Sequence, residues 1–125
     1  MIRAILVTHG SLGQALCDAA VSVLGPQTGV SVLSNSGLSL EQIQARVKDL
    51  LTEDPTLIMV DLCGGSPYMA CCAMGEVSHN TAIVSGVNLP MLLSYFTKRD
   101  KLSLSELSET VERDAVRGIQ NRQPA

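Results

Sequence analysis

Tryptophan is absent from this chain, and one phenylalanine and two tyrosines are its only aromatic residues. Proteins that bind single-stranded nucleic acid stack bases on such rings inside a basic groove. Here 9 Lys and Arg stand against 12 Asp and Glu, a formal net charge of −3, so the groove is missing as well. Nucleic acid is therefore not an expected partner. Long apolar runs are also lacking. None approaches the roughly 20 residues needed to cross a bilayer, and direct membrane insertion is not expected. Ile2 to Val7 is too short for a secretory leader and carries Arg3, which points to a cytoplasmic protein. The four cysteines, at positions 17, 63, 71 and 72, form no C-x-x-C pair and fit no zinc spacing. No metal and no cofactor is expected, and the thiols are read as reduced and mostly buried, with Cys63 set apart by its glycine-rich surroundings.

What is present is a globular composition, 46% hydrophobic and 17% charged over 125 residues, the size of one domain spanning 1–125. Short apolar runs alternate with stretches of helical period. Ala4 to Val7, Val30 to Leu33, Leu57 to Val60 and Thr81 to Val84 read as strands. Between them, Leu12, Leu16, Ala19, Ala20, Val23 and Leu24 recur at helical spacing until Gly25-Pro26. Ser39 with Gln42, and Ser103 with Glu106, form capping boxes that open two further helices. The stripes behind them are Leu40, Ile43, Val47, Leu50 and Leu51, and Leu104, Leu107, Val111 and Ala115. Asn88 is placed to cap a helix with Pro90 in its first turn and Met91, Leu92, Leu93 and Phe96 on its apolar side. This alternation predicts an α/β fold, a doubly wound parallel four-stranded sheet with helices on both faces. Methionines 59, 69, 74 and 91 read as core filler, and His79 as a solvated loop residue ahead of a strand.

The chemistry concentrates in Val60-Asp61-Leu62-Cys63-Gly64-Gly65-Ser66-Pro67. It has the form of a strand end, a turn and a helix start, with Ser66 as N-cap and Pro67 at the first helical position. A helix N-terminus built this way attracts anions such as phosphate. Val7-Thr8-His9-Gly10-Ser11 has the same form near the N-terminus. In open parallel sheets the functional edge lies past the strand C-termini. If the first and third strands are neighbours, His9 and Asp61 share that edge. A carboxylate on one ring nitrogen leaves the other free as a nucleophile, and the Gly64-Gly65-Ser66 nest beside it suits a phosphoryl group. Ser85 to Asn88 forms a third polar turn at the same edge.

Together these motifs carry a family resemblance. Val7-Thr8-His9-Gly10, Asp61 with Gly64-Gly65-Ser66-Pro67, and Ser85-Gly86-Val87-Asn88-Leu89-Pro90-Met91-Leu92 resemble the IIA component of the mannose-type (mannose–fructose–sorbose) phosphoenolpyruvate-dependent sugar phosphotransferase system. The resemblance implies that His9 accepts a phosphoryl group on Nε2 from the histidine phosphocarrier protein and passes it to a IIB component. Asp61 would orient Nδ1, and donors at Gly65 and Ser66 would receive the phosphoryl oxygens. It also implies a homodimer in which a segment around Val116 to Gln120 becomes an exchanged antiparallel edge strand. Two residues depart from the family pattern. Cys63 stands where an aromatic is usual, and Met69 where an asparagine is usual. No Ala/Pro-rich linker follows, so IIB is expected on a separate polypeptide.

An alternative from another class keeps the same site. In an incomplete phosphotransferase system, the phosphorylation state of His9 would control binding to a target protein without sugar transport. A receiver-type aspartate switch is disfavoured, because Thr8-His9-Gly10 replaces the acidic pair that would bind magnesium. A serine hydrolase using Ser66 is disfavoured too, since Gly-Gly-Ser-Pro is not the Gly-x-Ser-x-Gly elbow.

Overall fold

The computed structural model describes residues 1–74 and 80–124. Its elements run β1 (Arg3–Thr8), α1 (Leu12–Leu24), β2 (Val30–Ser34), α2 (Leu40–Leu50), β3 (Thr56–Val60), α3 (Ser66–Met74), β4 (Thr81–Ser85), α4 (Leu89–Lys98) and α5 (Leu104–Arg117). The four strands form one sheet in the order β2-β1-β3-β4, with every pairing parallel. His79, read from the sequence as a solvated loop residue, lies outside the described residues.

The sheet separates two apolar cores because side chains along a strand alternate between faces. Ala4 and Leu6 of β1, with Leu57 and Met59 of β3, pack on one side under α1, α4 and α5. Ile5, Val7, Ile58 and Val60 pack on the other under α2 and α3. Every residue of β3 is buried, as its unbroken apolar run requires. Both capping boxes form as expected, on Ser39 and Gln42 and on Ser103 and Glu106, and Asn88 Oδ1 accepts the Met91 N–H at 2.9 Å.

Several expectations shift. The buried side of α1 is Gly13, Cys17 and Ala20, with Leu16 packed partly beside them. Leu12, Val23 and Leu24, expected inside, are exposed. The reason is size: a small-residue face at 13, 17 and 20 lets the helix sit close to the sheet, so the expected stripe holds at Leu16 and Ala20 and fails at its bulky ends. Close approach at Gly13 is tight enough that a Cβ there would meet Val32 Cγ1 at 2.9 Å. In α3 the first helical bond runs from the Met69 N–H to the Gly65 carbonyl at 2.9 Å. Gly65 therefore holds the cap position expected of Ser66, and Ser66 is the first helical residue. Met69 is 51% exposed and Cys63 and Cys72 are exposed, so neither the methionines nor the thiols are uniformly core. Tyr95, which periodicity did not single out, is fully buried and donates to the Ile2 carbonyl at 2.7 Å. At the C-terminus, Val116 and Arg117 belong to α5, and residues 118–124 carry no regular structure in the single chain. Just past α4, the Arg99 side chain is buried. It donates to the Thr28 carbonyl at 2.6 Å and lies 5.2 Å from the Tyr95 ring centre.

Candidate functional site

His9 is the first residue past β1, and Asp61 the first past β3. These strands are direct neighbours, with Val7 opposite Val60. Both side chains thus arrive at one point on the C-terminal edge, where the strand order reverses and ligand sites of open α/β sheets form.

The two residues are joined by more than a side-chain contact. Asp61 Oδ2 accepts the His9 backbone N–H at 3.0 Å, and His9 Nδ1 lies 3.0 Å from Oδ2 and 3.1 Å from Oδ1. With its proton on Nδ1 facing the carboxylate, the imidazole carries its lone pair on Nε2. The His9 side chain is 44% exposed while that of Asp61 is 11% exposed, so the imidazole is open and the carboxylate paired with it is sheltered. Burial pushes the Asp61 carboxyl up. The His9 backbone N–H, the imidazole hydrogen bond and the imidazole charge outweigh that, and the carboxyl ends below its ordinary range.

The glycine loop meets the other side of the ring. A Cβ placed on Gly65 would lie 3.0 Å from His9 Cε1 and 3.6 Å from Nε2, so glycine leaves room for the imidazole. Gly64 takes φ +85°, in the left-handed region that favours glycine. The Gly65 N–H closes the turn on the Leu62 carbonyl at 3.3 Å, whereas the Gly64 and Ser66 N–H groups have no acceptor among the described residues. Open donors therefore stand at the start of α3 next to the imidazole, where an anion is favoured. Chemically, this arrangement can present an oriented imidazole nitrogen beside a cradle for negative oxygens.

The third polar turn has a different use. The Val87 N–H donates to the Val60 carbonyl at 3.0 Å, and Asn88 Nδ2 donates to the Ala115 carbonyl at 3.1 Å. Asn88 thus ties α4 to α5, and no hydrogen bond among the described residues links 85–88 to His9. Sequence reasoning missed Asn35, passing over 34–37 as a loop by composition. Asn35 donates its backbone N–H to the Thr8 carbonyl at 3.0 Å and accepts the Gly10 N–H on Oδ1 at 3.2 Å. It also missed an apolar rim. Leu12, Leu62 and Met69, on segments adjoining His9, Asp61 and Gly65, are 43%, 57% and 51% exposed. Cys63, singled out in the sequence, is exposed; the Cys72 thiol, and then that of Cys63, push the Tyr68 phenol up.

Residues 3–112 match the family described as PTS system fructose IIA component. The chain belongs to the mannose-type IIA family of the sugar phosphotransferase system. It is 30% identical over 112 residues to the fructose-specific EIIA component of Bacillus subtilis, covering 86% of this chain and 77% of that protein. It is 27% identical over 115 residues to the sorbose-specific EIIA component of Klebsiella pneumoniae, covering 90% and 85%. In structure it is similar to a phosphotransferase system component EIIA from Streptococcus agalactiae, with a TM-score of 0.91, 23% identity and 97% of each chain covered. Such IIA components are relay proteins for phosphoryl groups, and this IIA chain has no described helix long and apolar enough to cross a membrane.

Proposed function

We propose that the whole chain acts as one cytoplasmic IIA domain, whose His9 accepts a phosphoryl group from the histidine phosphocarrier protein and passes it to a IIB component. The carrying observation is the pairing of His9 Nδ1 with both oxygens of Asp61 at 3.0 and 3.1 Å. The Nε2 lone pair attacks phosphorus in line as the donor's N–P bond breaks. Positive charge develops on the His9 ring, and Asp61 stabilises it without itself taking the proton. The Gly64 and Ser66 N–H groups, with the Ser66 hydroxyl, receive the phosphoryl oxygens, and Gly65 gives them access. Little covalent help is required, so orientation and charge placement carry the transfer. Passage to IIB is the same step reversed against a new histidine. Leu12, Leu62 and Met69 supply an exposed apolar border on which both protein partners seat in turn.

The homodimer belongs to the same reading. β4 is the last strand of the sheet, and a groove lined by Ser85, Glu112, Val116 and Ile119 runs at its end. Val116 and Ile119 are 63% and 74% exposed. In the dimer, Val116 and Arg117 leave the end of α5, and residues 116–120 add an antiparallel strand to the partner's sheet.

The test is incubation with phosphoenolpyruvate, enzyme I and the histidine phosphocarrier protein, followed by intact mass and site mapping. One acid-labile phosphoryl group on His9, lost in His9→Ala, is the expected result. A label that persists in folded His9→Ala moves the acceptor elsewhere.

A further inference from the structure

We propose that Asn35 is a positioning residue for phosphoryl transfer, holding the residues on either side of His9 and so fixing the turn from which the imidazole projects. The inference rests on the reading of His9 as the acceptor.

β1 lies between β2 and β3, so the turn after it can be held from two sides. From the β3 side, Asp61 holds His9 by its backbone and its ring. From the β2 side, Asn35 holds the flanking residues. Its backbone N–H donates to the Thr8 carbonyl at 3.0 Å, closing the last rung of the ladder, where Thr8 pairs with Ser34. Its side-chain oxygen then accepts the Gly10 N–H at 3.2 Å. Gly10 has φ +54°, and beyond its chain neighbours nothing lies within 4 Å of where a Cβ would sit. On that side packing does not restrain it, and the Asn35 amide supplies a hydrogen bond that does.

The β2–α2 loop does not need that amide for its own shape. Ser34 Oγ accepts the Ser36 N–H at 3.1 Å, and the Leu38 N–H donates to the Asn35 carbonyl at 3.0 Å. Residues 34–38 are thus closed by local bonds, and the side-chain bond to Gly10, spanning 25 positions of sequence, serves the neighbouring turn. The choice of amide has a chemical reason. An aspartate would offer the same acceptor oxygen but bring a second carboxylate towards the incoming phosphoryl group, whose oxygens are negative. Asparagine fixes the turn without that repulsion.

The experiment measures steady-state transfer from the phosphorylated phosphocarrier to the unsubstituted protein, Asn35→Ala and Asn35→Asp, together with 15N spectra of the His9 ring. For Asn35→Ala we expect kcat reduced on the order of tenfold with the donor KM unchanged, because a loosened turn misplaces Nε2 without altering docking. The ring spectrum should show a smaller fraction protonated on Nδ1. Asn35→Asp, which keeps the acceptor, should restore the parent ring spectrum yet still transfer slowly. Parent kcat and parent ring signals in Asn35→Ala overturn the proposal. Absence of His9 labelling in the unsubstituted protein overturns the acceptor reading itself; a ring change in Asn35→Ala would still register the contact, so the two failures are distinguishable.

Discussion

In the proposed transfer, His9 depends on surroundings that remove its freedom. Asp61 pairs with Nδ1, Asn35 accepts the Gly10 N–H of the flanking turn, and Gly65 leaves the space the ring occupies. Glycine at 65 is a matter of clearance here, since its φ is not among the positive values. Gly65→Ala brings a methyl 3.0 Å from His9 Cε1, closer than a relaxed contact. We expect His9 labelling to slow by about tenfold, while the cap exchange costs only about 0.5–1 kcal/mol of stability. Single-turnover labelling alongside a urea titration checks both. Equal labelling rates would show that the ring moves without consequence. Asp61 also carries a sign for pH. Its lowered folded value means that its contribution is present above the ordinary carboxylate range and lost as pH falls through the folded value.

At the scale of elements, the β1–α1 turn is the critical joint. Thr8 is fully buried, and its Oγ1 accepts the Gly13 N–H at 2.8 Å, satisfying a donor in the first turn of α1. Gly13 is small enough to let that turn approach β1 and β2. Thr8→Val preserves shape but leaves the buried Gly13 N–H without its acceptor. A loss of about 1–3 kcal/mol is expected, read from the urea midpoint at constant m-value. A midpoint like that of the parent would mean that water replaces the hydroxyl. The turns of α1 and α3 also explain where sequence reading was incomplete. Leu12, Val23 and Leu24 have the hydrophobicity of core residues, but the small face of Gly13, Cys17 and Ala20 wins, because close helix–sheet packing selects for size. Ser66 has the chemistry of an N-cap, yet the tight Leu62–Gly65 turn starts α3 one residue earlier.

The whole molecule sets its own alkaline limit. Cys71 is fully buried, and its thiol is pushed up to about 12 by burial and by Cys72. Since the folded value is raised, folding favours the neutral thiol. Stability is full below the ordinary thiol value of 9.0 and declines as pH rises towards about 12. Tyr95, raised by burial despite Arg99, acts in the same direction at higher pH. Urea midpoints followed upward from pH 9.0 should fall more gently in Cys71→Ala than in the parent, even though the variant starts lower. Parallel curves would rule out Cys71 as the cause. The proposed strand exchange is also decided at this scale. Sedimentation equilibrium should give twice the 13.2 kDa chain mass, and a truncation before residue 116 should give the monomer. A full-length monomer would leave the edge of β4 without its proposed cover.

Alternation of short apolar runs with helical stripes was enough to determine the α/β class, the four strands and both capping boxes, because these depend on local period and local hydrogen bonding. The placement of His9, Asp61 and the glycine loop past strand ends was equally legible, since each follows a strand directly. Tertiary structure alone decided that β1 lies against β3, which turns two separate motifs into one site. It also decided which side of α1 is inside, why Gly65 must be small, and that Asn35 meets the His9 turn. These are contacts between segments distant in the chain, fixed by strand order and packing distance, and no single stretch of sequence contains them.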